Sequence, residues 1–272
     1  MNNEKRYTPK SEVRNPATTF LKIFLAALVC TAVVIGMLLI CGVRIVKQDT
    51  LDGETVKFFG FVKDGEPVKG TVYYPSGLTA KLNKEAGTLK YSDGSLYTGE
   101  ISSLLRNGDG KMEYSNGDVY EGTFEADMIN GSGLFLFEGG DKYEGEFSGG
   151  LKSGYGTYTW SDGSYYTGLF KNDQRHGAGF SYWSDGSSYD GTYADGVKSG
   201  TGTFVFANGD IYTGEFENDM RTGYGTYYWA NGESYTGYFK DNTLCGEGTY
   251  TWASGRTHSG IFENGKIVSD KD

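Results

Sequence analysis

From residue 97 onward, apolar and polar residues alternate in short runs, and the alternation repeats every 23 residues. Tyr97, Tyr120, Tyr143, Tyr166, Tyr189, Tyr212 and Tyr235 open successive units, and His258 takes the next place. In the unit that starts at Tyr143, Gly145 and Phe147 alternate with Glu144 and Glu146, which predicts a half-buried strand. After a glycine-rich loop, Gly156, Tyr158 and Trp160 alternate with Thr157 and Thr159 and predict a second strand. Asp162-Gly163 closes the unit, as Asn116-Gly117, Asp185-Gly186, Asn208-Gly209 and Asn231-Gly232 close others. Both residue types accept positive φ, which predicts tight hairpin turns at these places. Each unit is therefore expected to be a β-hairpin, stacked on its neighbours in a repeat array.

The predicted fold is an all-β repeat: an elongated, single-layer antiparallel meander of β-hairpins, with seven 23-residue repeats over 97–257. Tyr at the first position, Phe at the fifth and aromatics at the sixteenth and eighteenth collect on one face. Glycines at the third and fourteenth share that face and leave bare backbone for the rings to cover. The opposite face collects Glu, Thr and Asp. Two degenerate repeats occupy 57–96, since Gly70 to Gly77 echoes Gly156 to Gly163. A half-repeat cap and polar tail close the chain over 258–272.

The N-terminal region has a different pattern. From Ile23 to Val43 the chain carries no charge, bracketed by Lys22 and Arg44. A helix of that length reaches roughly 32 Å, about the hydrocarbon thickness of a bilayer. We expect a transmembrane helix over 20–43, after a short basic tail at 1–19 and before a linker at 44–56. No small-x-small cleavage site follows, so an uncleaved single-pass anchor is expected rather than a signal peptide. Lys5, Arg6, Lys10, Arg14 and Lys22 precede the span, against Arg44, Lys47 and Lys57 beyond it. The positive-inside rule then places the N-terminus in the cytoplasm and the repeats outside it.

Charge narrows the partners. Residues 1–49 sum to +4 and the whole chain to −10, so −14 falls on 50–272. An array so acidic is not expected to bind nucleic acid or anionic lipid headgroups. Cys30 and Cys41 lie in the apolar run and Cys245 in the repeats, which supports neither a disulfide framework nor a metal site.

The unit Y-x-G-x-F…G-x-G…[DN]-G-x-x-Y, as it runs from Tyr143 to Tyr166, resembles the MORN (membrane occupation and recognition nexus) repeat. The likeness covers about residues 57–266 in full and partial copies. It implies an open meander of hairpins and a module for interaction or scaffolding, not one particular activity. Gly139-Gly140 at one turn and His258 in a tyrosine place depart from the pattern.

No catalytic constellation stands out from the repeat background. His176 and His258, the two histidines, lie far apart, and the Asp-Gly turns alternate with Asn-Gly as turn chemistry requires rather than as calcium sites do. The G-x-G of each unit opens no helix, which excludes a nucleotide fingerprint. We therefore expect no enzyme, no cofactor and no metal. The expected function is a membrane-anchored scaffold that engages a protein partner, with the membrane contacted through 20–43. The alternative is a binder of cell-envelope polysaccharide, with exposed rings of Trp160, Trp183, Trp229 and Trp252 stacking on the glycan.

Overall fold

A strand with glycine every second or third position cannot bury a side chain of its own at those places, so its neighbours must lend one. The computed structural model, which describes residues 16–49 and 55–270 and side chains from Phe24, shows how they do so. The expected basic tail therefore lies largely outside the described residues, as do positions 50–54 and 271–272.

One helix, α1 (Pro16–Ile40), precedes 21 strands that pair antiparallel in strict chain order among the described residues. The first five are β1 (Val43–Asp49), β2 (Thr55–Lys63), β3 (Glu66–Tyr73), β4 (Thr79–Asn83) and β5 (Thr88–Tyr91). Then β6 (Leu96–Ser102) and β7 (Leu105–Glu113) set a form that recurs to β18 (Ser234–Lys240) and β19 (Thr243–Thr251). The last hairpin is β20 (Thr257–Glu263) with β21 (Lys266–Asp270). The expected all-β, single-layer meander is found.

Within each repeat the two strands differ in length. β10 (Lys142–Ser148) has seven residues and β11 (Leu151–Thr159) nine, so the second strand starts earlier than its alternation suggested. The extra length is absorbed by a bulge beside the glycine pair, where the register shifts between Gly145 and Glu146.

The turns correct the sequence reading. Positive φ at both central residues, the signature of two-residue hairpin loops, belongs to Asn172-Asp173 (48° and 68°) and Asn218-Asp219 (51° and 67°). At Asp162-Gly163 only the glycine has positive φ, at 87°. There the chain needs a wider turn: Trp160 N–H donates to Ser164 O at 2.9 Å and Gly163 N–H to Trp160 O at 3.0 Å. Asp162 serves through its side chain, accepting from Ser164 N–H at 2.8 Å.

The N-terminal expectation also changes. The helix stops at Ile40, so the last three residues of the expected span become a turn and the start of β1. Gly42, at φ 83°, ends it; the Leu39 carbonyl of the last turn accepts from Gly42 N–H at 3.2 Å and from Arg44 Nη1 at 2.6 Å. β1 pairs with β2 from Val43↔Phe61 to Asp49↔Thr55, so most of the stretch read as a linker is sheet. Among the described residues, no helix is long and apolar enough to cross a membrane.

Candidate functional site

Position one of each repeat builds the floor of the site. Tyr143 is fully buried, and its ring lies across Gly145 and Gly156, which face each other on β10 and β11. A Cβ on Gly156 would meet Tyr143 Cζ at 2.6 Å, so both glycines are required by the ring rather than by backbone conformation. The phenol donates to Glu146 O at 2.9 Å, inside the bulge. Tyr97, Tyr120, Tyr166, Tyr189, Tyr212 and Tyr235 make the same bond three residues on, at 2.8–3.1 Å. Burial pushes the phenols of Tyr97, Tyr120, Tyr166, Tyr212 and Tyr235 up to about 12.

Position five stitches the repeats together. Phe147 stands edge-on to its own Tyr143 (centroids 5.0 Å apart) and to Tyr120 of the preceding repeat (5.3 Å). Phe170 does the same with Tyr166 and Tyr143, and Phe239 with Tyr235 and Tyr212. Such edge-to-face contacts suit the ring quadrupoles.

One flank of this floor is the row of aromatics at position eighteen, where the structure places all four tryptophans. They are half-buried, not the exposed rings expected from sequence. Trp160 packs on Tyr158 (4.8 Å), Trp183 on Phe204 (5.5 Å), Trp229 on Tyr227 and Tyr250 (4.8 and 5.4 Å), and Trp252 on Tyr250 (5.1 Å). The tryptophans come in two neighbouring pairs, separated by Phe206 at the same position.

The other flank was missed. Arg106, Lys152, Arg175, Lys198 and Arg221 occupy position ten of five of the seven repeats, with Ile129 and Leu244 in the other two. Each cation lies over rings: Lys198 Nζ is 5.0 Å from the Phe204 centroid and 5.6 Å from Trp183. Arg221 lies 5.1 Å from Tyr227 and 5.7 Å from Phe206 and from Tyr212. Each is also tied to the hairpin loop of the next repeat. Arg106 pairs with Asp127 at 3.1 Å, Lys152 with Asp173 at 3.2 Å and Lys198 with Asp219 at 3.5 Å. Arg175 donates to Gly196 O at 2.7 Å, and Arg221 to Asn242 O at 3.0 Å. Burial among the rings lowers the pKa of Lys198, and the nearby Asp219 opposes that shift. The signal was available in the repeat alignment as a column of cations at a single position.

The ring face is thus a trough, with tyrosines and phenylalanines below, tryptophans along one side and cations along the other. A cavity of about 370 Å³ opens in it between Lys152, Tyr158, Trp160, Asp173 and Arg175. A second, of about 410 Å³, lies over the transition from degenerate to full repeats, among Tyr74, Tyr91, Arg106, Tyr114 and Asp127. The turn carboxylates are already engaged: Asp210 accepts from Tyr227 Oη at 2.6 Å and from Ala230 N–H at 2.9 Å, which holds its pKa low. Among the described residues, no group of three His, Cys, Asp or Glu stands ready to hold a metal. His176 lies on a strand of the array, and His258 takes the terminal tyrosine place at 6.4 Å from Trp252.

A single-layer meander of like hairpins, each roofing its own facing glycines with its first tyrosine, defines a stacked-repeat protein. The MORN repeat pattern matches residues 97–119, 120–142, 143–165, 166–188, 189–211, 212–234 and 235–255, more than half the chain, and the chain belongs to the MORN repeat family. No curated protein sequence matches it. Among solved structures, the chain is similar to the SAS-4 (dCPAP) TCP domain in complex with a proline-rich motif of Ana2 (dSTIL) of Drosophila melanogaster. That likeness has 16% identity over 57% of this chain and 85% of that one, with a TM-score of 0.36. Streptogramin B lyase is similar at 11% identity over 82% and 84% of the two chains, with a TM-score of 0.17. At these scores neither likeness bears on fold or function.

Proposed function

We propose that this protein is a non-catalytic, membrane-anchored scaffold that holds a protein partner along its ring face. The row of rings and cations carries the reading: position eighteen is aromatic in all seven repeats, from Tyr114 to Trp252, and position ten is a cation in five of them. Half-buried aromatics beside arginines are the residue types that dominate protein interfaces.

The anchor is supported by the absence of charge from Ile23 to Val43 and by the exposure of Phe24, Val29 and Ile40 on α1. The described side chains of α1 stop short of the roughly 20 residues that a hydrocarbon core calls for, and the uncharged sequence supplies the rest. Basic residues before the span outnumber those after it, which supports a cytoplasmic N-terminus and an extracytoplasmic array.

Crosslinking in native membranes, followed by identification of what is bound, tests both parts. A partner that is lost from a Trp183→Ala, Trp229→Ala double variant with a native circular dichroism spectrum supports the ring face. A partner retained by that variant places binding elsewhere. Loss of retention on envelope glycan would make polysaccharide the ligand instead. Recovery of the chain from the soluble fraction would refute the anchor.

A further inference from the structure

The acidic balance of the array hides an uneven distribution. Across 96–159 the face opposite the rings carries Glu100, Asp109, Glu113, Glu121, Glu144 and Glu146 against two lysines, Lys142 and Lys111, the latter bonded to Glu113. On β1 to β5, outside the residues matched to the family, that same face carries Lys47, Lys57, Lys69, Lys81 and Lys90, all exposed. By register one acid position, Asp49 at the end of β1 opposite Thr55, shares this face with the five lysines. Glu66 sits at a hairpin tip, paired with Lys84 at 3.0 Å.

The register sharpens the point. Lys47 stands directly opposite Lys57, and Lys81 directly opposite Lys90. Like charges facing each other across strands repel, and the polar partner on this face is the Thr71 hydroxyl, which accepts from Lys81 Nζ at 2.7 Å. Large apolar side chains lie among these lysines: Ile45 is 73% exposed, Phe59 46%, Tyr73 45% and Phe61 41%. Ile45 faces Phe59, Val43 faces Phe61, and Phe61 abuts Gly42 at the end of α1. Two residues, Cys41 and Gly42, separate the helix from this face.

We infer that the lysine-and-aromatic face of β1 to β5 docks on the anionic headgroups of the bilayer leaflet at the C-terminal end of α1. Rings at the headgroup level and clustered lysines next to an apolar helix are the chemistry of interfacial and polybasic attachment. The lysine pairs that repel each other gain a shared counter-charge there. The whole-chain charge gave the opposite expectation because acids far along the array mask a local surplus, and screening confines each charge to about 10 Å or less. The inference rests on the membrane reading of α1 only for bringing the face to a lipid surface, and it is tested separately.

The full chain is mixed with vesicles of phosphatidylcholine, or of phosphatidylcholine and phosphatidylglycerol in equal parts, and floated. Exposed lysines are then acylated and mapped by mass spectrometry. Acylation of Lys57, Lys69 and Lys81 should slow about fivefold in the anionic vesicles, the factor that about 1 kcal/mol per lysine at such a surface corresponds to. Lys171 and Lys240 should not change. A Lys57→Glu, Lys69→Glu variant should lose the protection of Lys81 while still floating with both vesicles. Equal labelling in both lipids overturns the inference even when the chain floats, leaving the anchor intact. Flotation with the anionic vesicles alone, abolished by high salt, supports the docking face and removes the anchor. Flotation with neither removes both.

Discussion

At the scale of the residue, the fold depends on a phenol laid over two bare α-carbons. Gly156→Ala should displace the Tyr143 ring and destabilise the chain by about 1–3 kcal/mol, as overpacking does. Gly139→Ala should be nearly neutral, since a Cβ there meets nothing within 4 Å and its φ is ordinary. Thermal melts of the two variants check this, and equal melting temperatures would refute the role given to the ring. The buried phenols also set an alkaline limit. They titrate at 10.0 when free and at about 12 in the fold for Tyr97, Tyr120, Tyr166, Tyr212 and Tyr235. A raised folded pKa gives stability that is intact below pH 10 and falls as pH rises from 10 to 12, because the unfolded chain loses its protons first. Phenolate absorbance and circular dichroism, followed together, should show these tyrosines ionising with loss of the sheet. Ionisation with the spectrum unchanged would count against their burial.

At the scale of the element, period and alternation were enough to place the strands and decide which face buries rings. They fell short where two kinds of turn draw on the same residues. Asp-Gly read as a two-residue hairpin loop, yet Asp162 uses its carboxylate to cap a wider turn, while Asn172-Asp173 adopts the two-residue loop. The distinction lies in the contacts that each loop must make. Asp173 must place Oδ1 against Lys152 N–H at 2.9 Å, a contact 21 residues away in sequence. The cation column was legible as a column, but its purpose was not, because a lysine that covers rings looks in sequence like any solvated lysine. The tryptophans are legible by position but not in exposure: Trp183 and Trp229 are covered by Phe204 and Tyr250 of the next repeat, while Trp160 and Trp252 lean on rings two residues away in their own. The helix end was misplaced by three residues because Val43 suits a span and an edge strand equally well.

At the scale of the whole molecule, strands pair within a hairpin or with the adjacent one, so stability should grow by repeats rather than with a central core. Excision of residues 189–211, one full repeat, joins Tyr212 to the strand that preceded Tyr189 in the same register. The shortened chain should keep its circular dichroism per residue and melt only a few degrees lower by the usual per-residue scaling. Collapse to an unfolded chain would show a dependence on distant parts that the pairing does not contain. The two ends differ. β21 leaves an open edge beside β20, whose Phe262 packs against Tyr235 at 4.8 Å, whereas the first strand follows a helix after two residues.

The two-residue junction at Cys41-Gly42, latched by Arg44 onto Leu39, leaves almost no backbone freedom between α1 and the sheet. An array hung on a slack tether would sweep a hemisphere and present its faces in every direction. This one behaves as a vane on a spindle: whatever fixes the azimuth of α1 also fixes where the tryptophan row points. At roughly 4.8 Å per strand, the far hairpin lies on the order of 96 Å along the stack from the first. A few degrees of rotation at the helix therefore become a displacement of several ångströms at the distal repeats.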